Sequence, residues 1–529
     1  MRHRANLATL LLLAITPVFV DAQAGVPSFQ QHESLIIDSK ASATPFPHFW
    51  EKTFGSGRAI LSLRESYRMD LRTVKAATDF ESIRFHGIFL DEVGLFDPGR
   101  KTQNPGEAAE SAQELSVYNF SYVNQIYDGL LANHVKPFVE LSFMPRLMSS
   151  SEEVMPNFWY HPNVSPPKDY KAWDAMVTAF ATHLIARYGI DEVATWNFEV
   201  WNEPNLEFWA GYPKQETYFE LYDHTARALK AASPRLRVGG PVTARAAWVV
   251  PFLEYAKKHN VPVDFVSTHI YANDEIEAVF GRKEDIPREE VVYRAVKMVH
   301  VQIASSSFPH LPFILSEFNV SWRNDPNILD SPYMGPWLAN TIRLCDGLVD
   351  NMAYWDFSDV FEEQGVTREP FSGGYGLNAA NNIPKASLNV FAALHQLGDL
   401  RLANPSTSAL VTLGKNGVAI ALWNYAPPTA TGKTYILPSG PRGPAKDFDL
   451  EIKNVPSSAP VQILRIDDDH SNVLKTFDAI GRPPGDLTPA QIQQLQKAGQ
   501  MSPVENVHLD RGRLHITVPA HGLAVLLLK

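Results

Sequence analysis

Between about residues 45 and 400 the chain alternates short apolar runs with longer amphipathic ones, over and over, and this alternation limits what it can fold into. Short runs rich in β-branched and aromatic side chains fit buried strands, whereas apolar residues at three- and four-residue steps fit helices. Strands are expected at 53–59, 82–89, 137–143, 195–201, 237–242, 264–271, 312–320 and 352–357. Helices are expected between and after them, at 64–80, 118–133, 173–188, 216–232, 246–258, 288–303, 336–349 and 385–397. In 173–188, for instance, Trp173, Met176, Val177, Phe180, Leu184 and Ile185 form one apolar face. A strand–helix unit repeated in this way predicts an α/β fold, a closed parallel (β/α)8 TIM barrel whose helices bury their stripes against the sheet. The alternative, an open doubly wound sheet, calls for a glycine-rich first turn, and none follows an early strand here.

After residue 400 the pattern changes. The runs 409–413, 417–425, 434–437, 448–452, 461–466, 514–518 and 524–528 are short and separated by Pro, Gly and Asn clusters, the signature of an antiparallel β-sandwich. One short helix, 488–498, interrupts them, with Thr488 as its N-cap and Pro489 in its first position. The segment 33–41 is expected to add an N-terminal strand to this sandwich. The resulting division is a signal peptide at 1–24, an N-terminal segment at 25–44 that pairs with the sandwich, a catalytic barrel at 45–400 and a sandwich accessory domain at 401–529. The signal peptide is read from Arg2, His3 and Arg4 ahead of the apolar run 7–20, followed by Ala22-Gln23-Ala24 as a small-x-small cleavage site. Export to a periplasm or the medium is the expectation, with no membrane contact after cleavage.

Composition narrows the partners. With 45% hydrophobic and 20% charged residues the chain carries enough apolar surface for a large core, so a disordered or fibrous protein is excluded. A net charge of −11 and no Lys/Arg-rich run argue against nucleic acid. The single cysteine, Cys345, rules out an internal disulfide and a Cys-rich metal site. No Ser-His-Asp ordering, P-loop or zinc-binding helix motif emerges, and no cofactor or metal is expected. The run Asp467-Asp468-Asp469-His470 reads as a solvated turn of the sandwich, and Asn119-Phe120-Ser121 and Asn163-Val164-Ser165 fit glycosylation sequons.

In a parallel barrel the working residues stand at the C-terminal ends of the strands. The fourth expected strand ends in Glu199-Val200-Trp201-Asn202-Glu203-Pro204, and the seventh in Leu315-Ser316-Glu317-Phe318-Asn319. Glu203 and Glu317 would therefore reach one mouth from opposite sides. Glycoside cleavage needs such a pair: one carboxylic acid protonates the departing oxygen, and the other stabilises or attacks the anomeric carbon. The acid must keep its proton near neutral pH, which burial or a nearby anion achieves. Glu199 shares its parity along the strand with Glu203 and is read as a structural residue of the barrel interior.

Together, Trp201-Asn202-Glu203-Pro204 and Ser316-Glu317-Phe318 resemble the retaining glycosidases with acids on strands four and seven. Three further segments narrow the likeness: Ile83-Arg84-Phe85-His86-Gly87, Ser267-Thr268-His269-Ile270-Tyr271, and Tyr354-Trp355-Asp356 through Glu362-Glu363. With the sandwich stretch from Arg465 to Asn472, the chain resembles glycoside hydrolase family 39 over nearly its whole mature length, and bacterial β-xylosidases most of all. That resemblance implies an acid/base role for Glu203 and a nucleophile role for Glu317. It also implies that Asn202 binds the sugar's 2-hydroxyl, that His86, His269 and Tyr271 ring the cleaved sugar, that Trp355 floors it, and that Glu362 accepts hydrogen bonds from outer hydroxyls. The expected activity is an exo-acting β-xylosidase on xylo-oligosaccharides; the rivals are an α-L-iduronidase, an endo-glycosidase of an exopolysaccharide, and a carbohydrate-binding protein without catalysis.

Overall fold

The computed structural model describes residues 31–98, 117–426 and 443–528. Its centre is a closed barrel of parallel strands, β1 (Thr53–Ser56), β2 (Ser82–Phe85), β3 (Lys136–Leu141), β4 (Asn197–Val200), β5 (Arg237–Thr243), β6 (Phe265–Tyr271), β7 (Phe313–Asn319) and β8 (Asn351–Tyr354), with β8 closing onto β1. All eight barrel strands read from the sequence are present, most of them shortened at the C-terminal end, where the chain leaves the ladder to enter the loops that build the site. The strands are buried along almost their whole length because helices cover the outside and side chains fill the inside. The major helices of the outer ring, such as Tyr170–Tyr188 and Lys214–Ala232, start and stop within a few residues of the expected limits. Cys345 ends the helix Met334–Cys345, buried in the core.

Two further sheets lie against each other over a separate apolar core that includes Ile37, Val411, Ile420, Phe448, Val461 and Leu526. One has seven strands and the other three. The larger runs Glu505–His508, Pro460–Ile466, Leu523–Leu528, Gly417–Trp423, Ala409–Gly414, Leu400–Leu402, Ala43–Pro45, all antiparallel. The smaller is Gln31–Asp38, Lys446–Lys453, Arg513–Val518. Here the architecture departs from a purely antiparallel sandwich: Gln31–Asp38 runs parallel to Lys446–Lys453, in register from Gln31 opposite Lys446 to Asp38 opposite Lys453. A strand brought from the far end of the chain is free of the hairpin connection that forces antiparallel pairing. The N-terminal segment thus contributes to both sheets, since Ala43–Pro45 edges the larger one. Thr488 caps the helix Pro489–Ala498 with a full capping box to Gln491, as its sequence position predicts. A second short helix, Leu474–Ala479, was not foreseen. The expected strand 434–437 and the signal segment 1–24 lie outside the described residues.

Candidate active site

The C-terminal ends of the strands open into a cavity of about 910 Å³, walled by Met155, Phe158, Phe208, Trp322 and Tyr375 and floored by the buried indole of Trp355. Room for that indole comes from β1. A Cβ on Gly55 would stand 2.1 Å from Trp355 Cε3, so only glycine admits the ring at this place.

Glu203 and Glu317 face each other in the cavity. An oxygen of one and an oxygen of the other lie within 4.8 Å, with His269 Nδ1 inside the same radius. Glu203 follows β4 on a backbone turned sharply out of the strand. Trp201 and Glu203 both have positive φ, 76° and 42°, and the Glu203 N–H donates to Val242 O on β5 at 3.0 Å. Such conformations are costly for residues with a side chain and persist only where the surroundings enforce them. Trp201 supplies part of that enforcement: it is buried, and its indole N–H donates to Phe208 O at 2.7 Å. Glu317 stands within β7, opposite His269 on β6, after a register shift between Thr268 and His269.

Arg84 on β2 organises the floor beneath the acids. Its fully buried guanidinium donates to Glu199 Oε2 at 2.6 Å, Glu317 Oε1 at 2.7 Å and Asn202 Oδ1 at 3.0 Å, and forms an ion pair with Glu140 Oε2 at 2.8 Å. One planar cation in the barrel interior thereby joins the nucleophile candidate to β3 and β4. Asn202 is oriented by the same group. Glu199 has the structural place read from its parity along the strand. Arg84, Glu140 and Asp274 were not named as site residues from sequence. The available signal was an ionisable side chain inside an otherwise apolar strand, as in Ile83-Arg84-Phe85 and Phe138-Val139-Glu140-Leu141, where a charge is tolerated only when paired.

The two acids sit in different fields. Burial, then the charges of Glu317 and Asp274, push the Glu203 carboxyl well above the usual carboxylate range. Burial also raises Glu317, but Arg84, His86 and the Tyr271 hydroxyl pull against it, the last through a 2.7 Å hydrogen bond to Oε2. Of the two, Glu203 is held further up, so a proton in the pair favours Glu203.

His86 lines the cavity and binds Glu140 Oε2 through Nδ1 at 2.7 Å, with Nε2 3.5 Å from Glu363. Burial works against its charge, yet Glu140, Glu363 and Glu317 outweigh it and push the imidazole up to about 10, so it is a cation at neutral pH. His269 is the reverse case: burial, with Arg84 and His86 nearby, holds it neutral. It does not line the cavity as the resemblance implies. It lies behind the acid pair, its Nδ1 3.0 Å from Glu203 Oε1 and 3.5 Å from Glu317 Oε2. Tyr271, two residues on along the same strand face, does reach the cavity.

Glu362 is the clearest displacement. Its carboxylate is buried between Arg58, at 3.0 Å, and Arg64, which holds both oxygens, and it does not line the cavity. Its neighbour Glu363 does, and burial raises that carboxyl to about 7. Adjacent residues on an irregular loop point in different directions, and sequence alone does not say which faces the sugar. Elsewhere, Asp467 Oδ1 accepts from the backbone N–H groups of Asp469 and His470 and from the His470 ring, forming the turn expected there.

The profile of Glycosyl hydrolases family 39 matches residues 34–512. A β-xylosidase of Geobacillus stearothermophilus is 36% identical over 447 residues, covering 83% of this chain and 84% of its own. A β-xylosidase of Caldicellulosiruptor saccharolyticus is 32% identical, covering 86% and 88%. Among solved structures, a monomeric β-xylosidase from Caulobacter crescentus superposes with a TM-score of 0.82 at 32% identity, over 94% of this chain and 99% of that one.

Proposed function

The chain belongs to glycosyl hydrolases family 39, and from that membership we propose that it is an exported, retaining, exo-acting β-xylosidase that releases xylose from xylo-oligosaccharides. The observation that carries the chemistry is the pair Glu203 and Glu317, within 4.8 Å at the nearest oxygens, with Glu203 held further up than Glu317, whose carboxylate Arg84, His86 and Tyr271 favour. Retaining glycosidases hold their carboxyls roughly 5–5.5 Å apart, too close for a water to work between them. The names of the relatives above support xylose as the sugar.

In the first step the Glu317 carboxylate attacks the anomeric carbon while Glu203 gives its proton to the departing glycosidic oxygen. The glycosidic bond breaks and a glycosyl ester on Glu317 forms. The Glu317 charge that held the proton on Glu203 is then gone, so Glu203 ionises and becomes a base. It takes a proton from water, whose oxygen attacks the anomeric carbon and releases Glu317 as a carboxylate. Asn202, held by Arg84, is placed for the sugar's 2-hydroxyl, and Trp355 offers a flat apolar face to the ring. The reaction needs no group beyond these side chains and water.

The test is a panel of aryl glycosides carrying β-xylose, α-L-iduronate, β-glucose and arabinose, assayed with the intact chain and with Glu317→Ala. Hydrolysis of the β-xyloside, with β-xylose as the first anomer seen by NMR and a loss of more than about 10³-fold in the variant, is expected. An α-anomer first, or equal rates in the variant, removes the mechanism; preference for another sugar changes the substrate; no hydrolysis of any member leaves a carbohydrate-binding protein. Xylotetraose digestion decides the mode, single xylose units at early times marking exo action. Export rests on residues 1–24, and N-terminal sequencing of the protein recovered from outside the cytoplasm checks it, with a start after Ala24 expected.

A further inference from the structure

A second cluster of titratable side chains lies at the opposite end of the barrel. The segment leading into β1 crosses the N-terminal face. Phe49 O accepts from Met352 N at the start of β8, and Lys52 O accepts from Glu81 N and Ser82 N at the start of β2. On this segment Glu51 is buried, and its Oε1 is met by two imidazoles. His48 Nδ1 is 2.6 Å away, and His395 Nδ1 is 2.9 Å away, across 344 residues of chain. His395 caps the C-terminus of Ala386–Leu394, the last helix of the barrel. The His48 ring is stacked on Trp50 at 4.5 Å and meets the His395 ring edge-on at 6.0 Å, so both imidazoles are held in orientation.

We propose that His48, Glu51 and His395 form a binding site for one zinc-type divalent cation. Their ligating atoms all lie within 4.8 Å of one another. Glu51 Oε2 and His48 Nε2 are buried without a hydrogen-bond partner, and among the described residues no lysine or arginine pairs with Glu51. A buried carboxylate oxygen left without a partner is costly, and a cation at the meeting point of the three side chains would partner it. Two nitrogens and one carboxylate oxygen suit zinc, cobalt or nickel rather than calcium or magnesium, and His395, whose side chain is 34% exposed, leaves solvent a fourth position. In a tetrahedral site neighbouring ligand atoms stand roughly 3.3 Å apart, so the 2.6 and 2.9 Å spacings to Glu51 open by less than about 1 Å to admit the ion. Asp79 faces His395 and is itself paired with Lys75 at 2.8 Å. The ion would clip the entry of the barrel to its last helix, and closing a loop of this length constrains the unfolded chain most.

The catalytic cluster of Glu203, His269 and Glu317 has comparable ligand spacing, so the test must separate the two. The full chain, freed of metal with a chelator, is titrated at pH 7.5 with Co²⁺ and then Zn²⁺ as competitor. Expected are one equivalent bound, the visible absorption of tetrahedral cobalt, its loss on adding zinc, and a rise in Tm with zinc. Glu317→Gln should bind the same equivalent. His395→Ala, at an exposed helix end, should weaken binding by at least about 100-fold, more than the loss of an outer partner of a metal ligand costs, and His48→Gln should do likewise. Absence of saturable uptake, uptake unchanged in both histidine variants, or uptake abolished by Glu317→Gln overturns the assignment.

Discussion

The hydroxyl of Tyr271 donates a 2.7 Å hydrogen bond to Glu317 Oε2, while Arg84 occupies the other oxygen at the same distance. The two contacts divide the labour on one carboxylate. Arg84 anchors it to the barrel from below, and Tyr271, from the cavity wall, holds the remaining oxygen. Tyr271 itself is fixed through its backbone N–H, which donates to Asp274 Oδ2 at 2.8 Å.

Tyr271→Phe should leave the fold intact and lower kcat by about one to two decades, the worth of a hydrogen bond to a charged group, roughly 1.5–3 kcal/mol. Because the Tyr271 hydroxyl favours the charged form of Glu317, its removal raises that carboxyl, and the acidic limb of the pH–rate profile should move to higher pH. Steady-state kinetics across pH on an aryl β-xyloside reads both effects.

Glu203 carries a raised carboxyl, so activity that needs its proton should fall as pH rises through its folded value, giving the alkaline limb. Stability follows the same sign. Above the ordinary value of 4.5 the unfolded chain has released this proton while the folded chain keeps it, so folding loses stability as pH rises through that window. Glu203→Gln should therefore abolish the alkaline limb and raise Tm relative to the parent at pH 8 more than at pH 4, as measured by calorimetry.

Arg84 should prove the costliest single side chain in the site. Arg84→Met takes the ion-pair partner from Glu199 and leaves Glu140 and Glu317 only the His86 imidazolium, and the expected loss is about 3–5 kcal/mol in a urea unfolding series. Adding Glu199→Gln to that variant should recover part of the loss, because one of the uncompensated charges is then gone.

Glu362 and Glu363 should separate by phenotype. Glu362→Gln weakens the pairing with Arg58 and Arg64 that holds its loop, so Tm should fall, with the KM for xylobiose nearly unchanged. Glu363→Gln changes a wall of the cavity beside His86, so KM should rise several-fold with little effect on Tm. The reverse pattern assigns the outer hydroxyls to Glu362 after all.

The barrel was legible because parallel strands buried on both faces are continuous apolar runs, distinct from the amphipathic helices between them. The short strands Ala43–Pro45, Leu400–Leu402 and Glu505–His508 were not, since three or four residues carry no periodicity and their pairing depends on distant neighbours. Glu203 and Glu317 were legible from strand ends and flanking residues. Arg84, Glu140 and Glu363 gained meaning only when the barrel closed and showed what each one faces.

The amino-acid order alone settled which segments form the strands and major helices of the barrel, and which two acids stand at the ends of strands four and seven, because these are local properties of periodicity and chain position. Folding decided the rest: that Arg84 joins Glu140, Glu199, Asn202 and Glu317, that His269 stands behind the acids and outside the cavity lining, and that Glu363 rather than Glu362 faces the cavity. Those relations depend on which charges share a low-dielectric interior, and burial and Coulomb energy depend on distances through space that no spacing along the chain contains.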